Sequence, residues 1–220
     1  MLEFQRKSVS VLLLIHGLFS FSCSSKDEPD AKPVQACYGL SDRKVMKINW
    51  QATKADGSLV NGYIIGKGTL EQNTPDSMLQ SLFEIEFDVF SLDSFNPLRN
   101  ERLINFFFMA DVHPVIEYKG VIKSISLDSL PDTGDRRSAV VDGDLVLAGQ
   151  PIVTSLNIDI VNQSGIIFAK QSDDKPGFID LSTNATVAMY LDRMLHTANV
   201  APINPKVTLS GVMPLVSPCR

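Results

Sequence analysis

The chain has 220 residues, 44% of them hydrophobic and 20% charged, with a formal net charge of −5. An acidic chain with no basic stripe excludes nucleic acid as a partner class. With only three histidines and three cysteines, no histidine pair at ligand spacing and no Cys-x-x-Cys, there is no metal-binding framework either.

In chain order, Arg6 and Lys7 give a short positive region. An apolar stretch follows from Val9 to Phe21, broken by His16 and Gly17. It is too short to span a bilayer, which takes roughly 20 apolar residues, and has the order of a secretory signal. Residues 1–22 are therefore expected to be a signal peptide. Ser20-Phe21-Ser22-Cys23 resembles the bacterial lipobox, which implies acylation of Cys23 as the first mature residue; a plain signal peptide with a nearby cleavage site is the alternative. Residues 24–34 (SSKDEPDAKPV) are polar and proline-bearing, so 23–36 reads as a flexible tether to a domain over 37–220. These features predict an exported, membrane-anchored lipoprotein of the bacterial envelope, on the periplasmic side or at the outer membrane. Ser24 after Cys23, in place of Asp, favours forwarding beyond the inner membrane.

Removing the leader makes the remainder one charge more acidic and leaves Cys37 and Cys219 near the two ends of the domain. Export places them in an oxidising compartment, where a pair tends to bond. A Cys37–Cys219 bridge would close almost the whole domain and stabilise it. Two free thiols, or bonds to other chains, are the alternatives, and oligomer formation is left open.

The domain has a period of two. Phe83, Ile85, Phe87 and Val89 alternate with Glu84, Glu86 and Asp88, as a half-buried antiparallel strand requires. Ile152, Thr154, Leu156, Ile158 and Ile160 repeat the pattern. Weaker strands are readable at Val45–Thr53, Asn61–Leu70, Val115–Leu127, Ala139–Ala148, Gly165–Lys170 and Lys206–Leu215. Turn signals at Ala55-Asp56-Gly57-Ser58, Pro131-Asp132-Thr133-Gly134 and Asn162-Gln163-Ser164-Gly165 separate several of them. About eight strands in order predict an all-β meander that closes as a barrel or folds as a sandwich.

Two stretches predict helices. Asn96–Phe108 offers Asn96 as cap and Pro97 at the first helical position. In Thr183–Thr197, Val187, Tyr190, Leu191, Met194 and Leu195 form one apolar face, with Asp180, Ser182 and Thr183 as candidate caps. That face is expected to pack against the outside or mouth of the sheet.

Catalytic patterns are missing from the sequence. His113 precedes Pro114 at a strand entrance, and His196 suits a helix C-terminus, so both read as structural. There is no Gly-x-Ser-x-Gly elbow and no phosphate loop, and Glu84, Glu86 and Asp88 read as a solvated strand face. No enzyme activity, cofactor, metal or catalytic residue is predicted. Phe106-Phe107-Phe108 cannot all face one core, so at least one must point elsewhere. The run reads either as a hydrophobic plug or as the lining of a site for a long apolar ligand.

Asn96-Pro97-Leu98-Arg99-Asn100-Glu101-Arg102-Leu103, then Phe107-Phe108, then Pro114 and a strand, resembles the central motif of the YceI-like family. That motif runs Asn-x-x-Arg-Asp-x-His-Leu, Asp-Phe-Phe-Asp, Tyr-Pro. Gly143 to Ile152 is similar to the family hairpin Gly-x-Leu-x-x-x-Gly-x-x-x-x-Val. Asn100 and Arg102 stand where the family has Asp and His, Phe106 and Met109 where it has the flanking Asp pair, and His113 where it has Tyr.

The resemblance implies a lipocalin-like, up-and-down antiparallel barrel of about eight strands with one or two short helices. It implies non-enzymatic binding or transport of an isoprenoid-type lipid or other long-chain amphiphile, beside a membrane through the lipid anchor. Candidate ligand-contacting residues are Phe83, Phe87, Phe106, Phe107, Phe108, Leu145, Leu147, Leu156 and Ile158, with Ile85 also inward. Asn96 and Arg99 are the candidates for a polar head, Arg99 because a guanidinium can hold a phosphate through two parallel hydrogen bonds. The alternative is a solid-core structural or interaction module of the envelope, since a filled barrel shows the same alternation.

Overall fold

The computed structural model describes residues 37–39, 46–74, 77–164, 166–172, 174–175, 177–198 and 202–215. The signal segment, Cys23, the tether and Cys219 lie outside the described residues, and Cys37 enters only as backbone. The expected acylation and the Cys37–Cys219 bridge therefore fall outside them as well.

The strands are β1 (Cys37–Gly39), β2 (Met46–Lys54), β3 (Leu59–Glu71), β4 (Leu82–Asp93), β5 (Val115–Ile125), β6 (Arg136–Leu147), β7 (Gln150–Gln163), β8 (Ile166–Gln171), β9 (Phe178–Asp180) and β10 (Ile203–Leu215). Eight of them, β2 to β8 and β10, form an antiparallel meander, each pairing with the next. The pairing of β10 with β2 closes the ring. Closure decides between the two architectures left open by the sequence: this is a barrel, not a sandwich. The two short strands extend lines already in the wall. Along β3, β2 pairs as far as Gly66 and β1 takes over at Thr69. Along β10, β8 pairs as far as Val212 and β9 takes over at Thr208.

Alternation turns one face of every strand inward. Phe83, Ile85, Phe87 and Val89 are buried on β4, and Ile116, Tyr118 and Ile122 on β5. On β4 the alternation inverts after Val89. The β3–β4 register slips between Tyr63 and Ile65, and the Ser91 hydroxyl accepts from the Ile65 N–H at 2.8 Å. This bulge leaves Phe90 exposed and returns Leu92 to the interior. The β6–β7 hairpin turns on Ala148 (φ 49°) and Gly149 (φ 72°), the paired positive φ that a two-residue turn needs. At Gly149 a Cβ would stand 2.6 Å from His113 Cε1, so the imidazole packs on the turn.

Both predicted helices form, with different boundaries. Asn96 Oδ1 accepts from the Arg99 N–H at 3.0 Å and caps α1 (Pro97–Arg102). The expected single helix then changes pitch: Leu103–Phe107 is a π-helical turn, closed by the Phe108 N–H donating to the Leu103 carbonyl. The second helix, α2 (Ala185–Thr197), is capped by Asn184, whose Oδ1 accepts from Thr186 and Val187. The expected cap Asp180 instead caps a 3-10 turn, Leu181–Thr183, and that turn delays the start of α2. Both helices and both irregular turns sit at one end of the barrel, called the upper end below. Among the described residues no helix is long and apolar enough to cross a membrane.

Candidate functional site

Under the upper end lies a chamber with an empty volume of about 800 Å³, open solvent at its mouth included. The walls are Ile48, Trp50, Ala52, Ile64, Phe87, Leu92, Ile116, Leu145, Leu147, Ile203, Val207 and Leu209; Leu103, Phe107, Phe108, Ile179, Leu181 and Leu191 complete the lining. Every one of these side chains is apolar apart from the indole N–H of Trp50. The π turn matters here, because it sends both Phe107 and Phe108 inward, their rings 4.8 Å apart and edge-to-face.

A second chamber, about 600 Å³ by the same measure, lies deeper in the barrel, between Met46, Phe83, Ile85, Leu156, Ile158, Ala169, Gly177, Phe178 and Gly211. Ile48, Phe87, Ile179 and Leu209 line both chambers, so the two adjoin at that waist. Lys170, Gln171, Asn157 and Ser210 give the second chamber a partly polar edge.

The predicted contact residues divide into two groups. Phe87, Phe107, Phe108, Leu145 and Leu147 line the upper chamber, and Phe83, Phe87, Leu156 and Ile158 the deeper one. Phe106 lines neither and is 57% exposed, the member of the triplet that points away. Asn96 and Arg99 also lie outside both linings. Arg99 donates from Nε to Ser94 Oγ at 2.9 Å and from Nη2 to the Ser94 carbonyl at 2.6 Å. Asn100 joins them, accepting from the Ser94 N–H and donating to Asp93 Oδ1. These polar residues of the motif knit the chain that leads into α1. Their hydrogen bonds hold the Asp93 carboxyl below its usual range, the Asn100 amide first and the Phe95 N–H next.

Sequence reasoning missed Trp50, Leu103, Ile179, Leu181, Leu191 and Gln171. Trp50 was readable from the alternation of Met46, Ile48, Trp50 and Ala52. Ile179 was not, because β9 is too short to show a period.

Among the described residues no acid–base pair converges on either chamber. Tyr118 is inward and buried, and its hydroxyl donates to the Val141 carbonyl at 3.0 Å. Burial pushes the phenol far above its ordinary value, with the charges of Asp142 and Asp144 adding to the effect. It is a satisfied, neutral core group. Glu84 and Glu86 lie on the outer face, paired with Lys119 at 3.1 Å and Lys67 at 2.7 Å. Among the described residues no cluster of His, Cys, Asp and Glu could hold a metal.

The class is thus defined by structure: a closed, hollow, eight-stranded antiparallel barrel with an apolar interior. The family model described as a YceI-like domain matches residues 41–208, and the chain belongs to that family. No curated protein sequence matches it. Among solved structures it is similar to a polyisoprenoid binding domain from Saccharophagus degradans implicated in plant cell wall breakdown. The TM-score is 0.64 at 16% identity, over 82% of this chain and 98% of that one. It is also similar to BcnA of Burkholderia cenocepacia, with a TM-score of 0.55 at 13% identity, over 78% and 96% of the two chains. At these identities the likeness is one of fold.

Proposed function

We propose that this chain binds an isoprenoid-type lipid, or another long-chain amphiphile, inside its barrel and catalyses no reaction on it. The observation that carries this reading is the upper chamber, hollow and lined by apolar side chains. Water in such a space gains little, whereas a hydrocarbon chain gains about 25 cal/mol for each Å² it buries, before the costs of association. Family membership and the polyisoprenoid-binding neighbour support the same class of ligand. In this reading the chain is exported to the bacterial envelope, where an acylated Cys23 and the 23–36 tether hold the barrel beside a membrane.

Organic extracts of the protein purified from its native membrane should contain one long-chain lipid per chain. Intact-mass measurement should show Cys23 carrying acyl groups. A folded, monomeric preparation that yields no lipid would count against the binding reading, and an unmodified or absent Cys23 against the anchor. Leu145→Trp, which fills the upper chamber, should lower the bound lipid at least tenfold while the far-ultraviolet circular dichroism stays that of a barrel.

A further inference from the structure

The two ends of the barrel differ in what they show to solvent. The upper end is made by the β2–β3 turn, the β4–β5 connection (94–114), the β6–β7 hairpin and the segment carrying α2. Within the β4–β5 connection Phe95, Leu98, Phe106 and Val112 are each more than half exposed, Phe95 and Val112 at 71%. Met189 is likewise more than half exposed on α2, which packs against the π turn. Among the described residues of the lower connections, Leu127 is the only large apolar side chain so exposed. Single exposed apolar side chains need no explanation, but several at one end mark a contact surface.

The chain holds this rim out against its own backbone preference. Phe95 has a φ of 59°, a left-handed conformation that a bulky residue avoids. Hydrogen bonds fix it there. Asp93 Oδ1 accepts from the Phe95 N–H and Asn100 Oδ1 from the Ser94 N–H, both at 2.8 Å, and the Ser94 carbonyl accepts from Arg99 Nη2 at 2.6 Å. The polar residues of the motif thus set the position of Phe95, whose ring leans on Tyr63 at 5.9 Å and still faces solvent. The π turn does the same for Phe106, which points out while Phe107 and Phe108 line the chamber. One turn therefore carries both the exposed rim and part of the chamber lining.

Charge selects the partner. Arg99 and Arg102 balance Glu101 and Asp111, Lys54 balances Asp56, and Arg193 balances Asp192. These upper segments are therefore neutral in a chain that carries −5. They have no field to steer a protein partner. An apolar, neutral rim that runs into an apolar chamber matches the acyl boundary of a lipid leaflet.

We propose that the upper rim docks on a lipid bilayer, with Phe95, Phe106 and Val112 entering the leaflet and the chamber facing the membrane that supplies its ligand. The ligand supply rests on the lipid-binding reading, whereas the docking is tested without it.

For the docking, Trp50→Phe removes the only tryptophan of the full chain. Single tryptophans are then introduced by Phe95→Trp, by Phe106→Trp or, at the other end, by Leu127→Trp. Phosphatidylcholine vesicles brominated on their acyl chains should quench the first two about threefold more than the third. The comparison holds with or without acyl groups on Cys23, because an anchor alone selects no end of the barrel. Equal quenching overturns the proposal.

For the supply, Phe95→Asn, Phe106→Ser and Val112→Ser are combined. Asparagine tolerates the left-handed backbone and all three sites are exposed, so the barrel should fold. Geranylgeraniol carried in phosphatidylcholine vesicles is offered to the chain, and Trp50, which lines the chamber, reports filling. The combined variant should fill about tenfold more slowly, with the final occupancy unchanged. Undiminished filling overturns the proposal and leaves lipid binding standing. So does a dimer in sedimentation that the combined variant dissociates, which would assign the rim to a second copy of the chain. If the unaltered chain takes up no lipid, the lipid-binding reading falls and the supply with it, and the quenching decides the docking alone.

Discussion

At the upper end of the barrel, Phe107, Phe108, Leu181 and Leu191 close the interior by apolar packing over a void. At the lower end Met78 is drawn into the core by a polar clasp. Asp128 accepts from the Ser77 hydroxyl and from the Met78 and Leu79 N–H groups, the last two at 2.7 and 2.9 Å. The same chain therefore uses non-directional contacts to cover the void and directional bonds to fix the floor. A side chain bordering a void lacks partner atoms on one side and contributes less dispersion energy than its burial suggests.

That contrast is broken or sharpened most strongly by matched truncations. Ile122, wholly buried in the lower core, should lose about 2–5 kcal/mol on Ile122→Ala. Leu191→Ala, at the roof, should cost less than half as much, because its inner side already faces the chamber. Urea denaturation of the two variants makes the measurement. Equal losses would mean that the roof is as tightly packed as the floor.

A smaller effect tests how the roof is carried. Asn184→Ala removes the acceptor for the Thr186 and Val187 N–H groups and should cost about 1 kcal/mol. Asp180→Ala, which uncaps only the 3-10 turn, should cost less. Thermal melts read the stability difference, and hydrogen exchange should show the protection of α2 falling ahead of that of the strands.

The unequal legibility of the two kinds of element follows from their physics. Each strand of the closed ring announces itself by alternation, because one face meets the interior and the other meets water. The chamber walls Phe83, Phe87, Leu145, Leu147 and Ile158 could be named on that basis. Asn96 to Phe108 reads as one continuous helix, since the residues that favour α and π pitch are the same. Only packing against the barrel mouth decides the change. Arg99 and Asn96 look like ligand-holding groups in sequence, but a guanidinium is satisfied equally by a phosphate or by the Ser94 carbonyl, and the chain supplies the latter. The apolar stripe of α2 was visible, yet a stripe says that a face is covered and not that what lies beneath is hollow.

The smallest effect concerns the lower clasp and carries a sign in pH. The Ser77 hydroxyl, then the Leu79 and Met78 N–H groups, hold the Asp128 carboxyl below the ordinary 3.8. A carboxyl whose pKa is lowered in the folded chain stabilises it fully above the unfolded value. That contribution disappears as pH falls through the folded value. Asp128 is solvent-accessible, so the effect should be modest and screened by salt. Asp128→Asn keeps an acceptor oxygen for the N–H groups but removes the charge. Its melting temperature should lie below that of the unaltered chain at neutral pH, and the gap should narrow only below about pH 4. A gap that stayed constant from neutral to acid pH would show that the carboxylate charge plays no part. The floor would then be held by packing and by hydrogen bonds that need no charge.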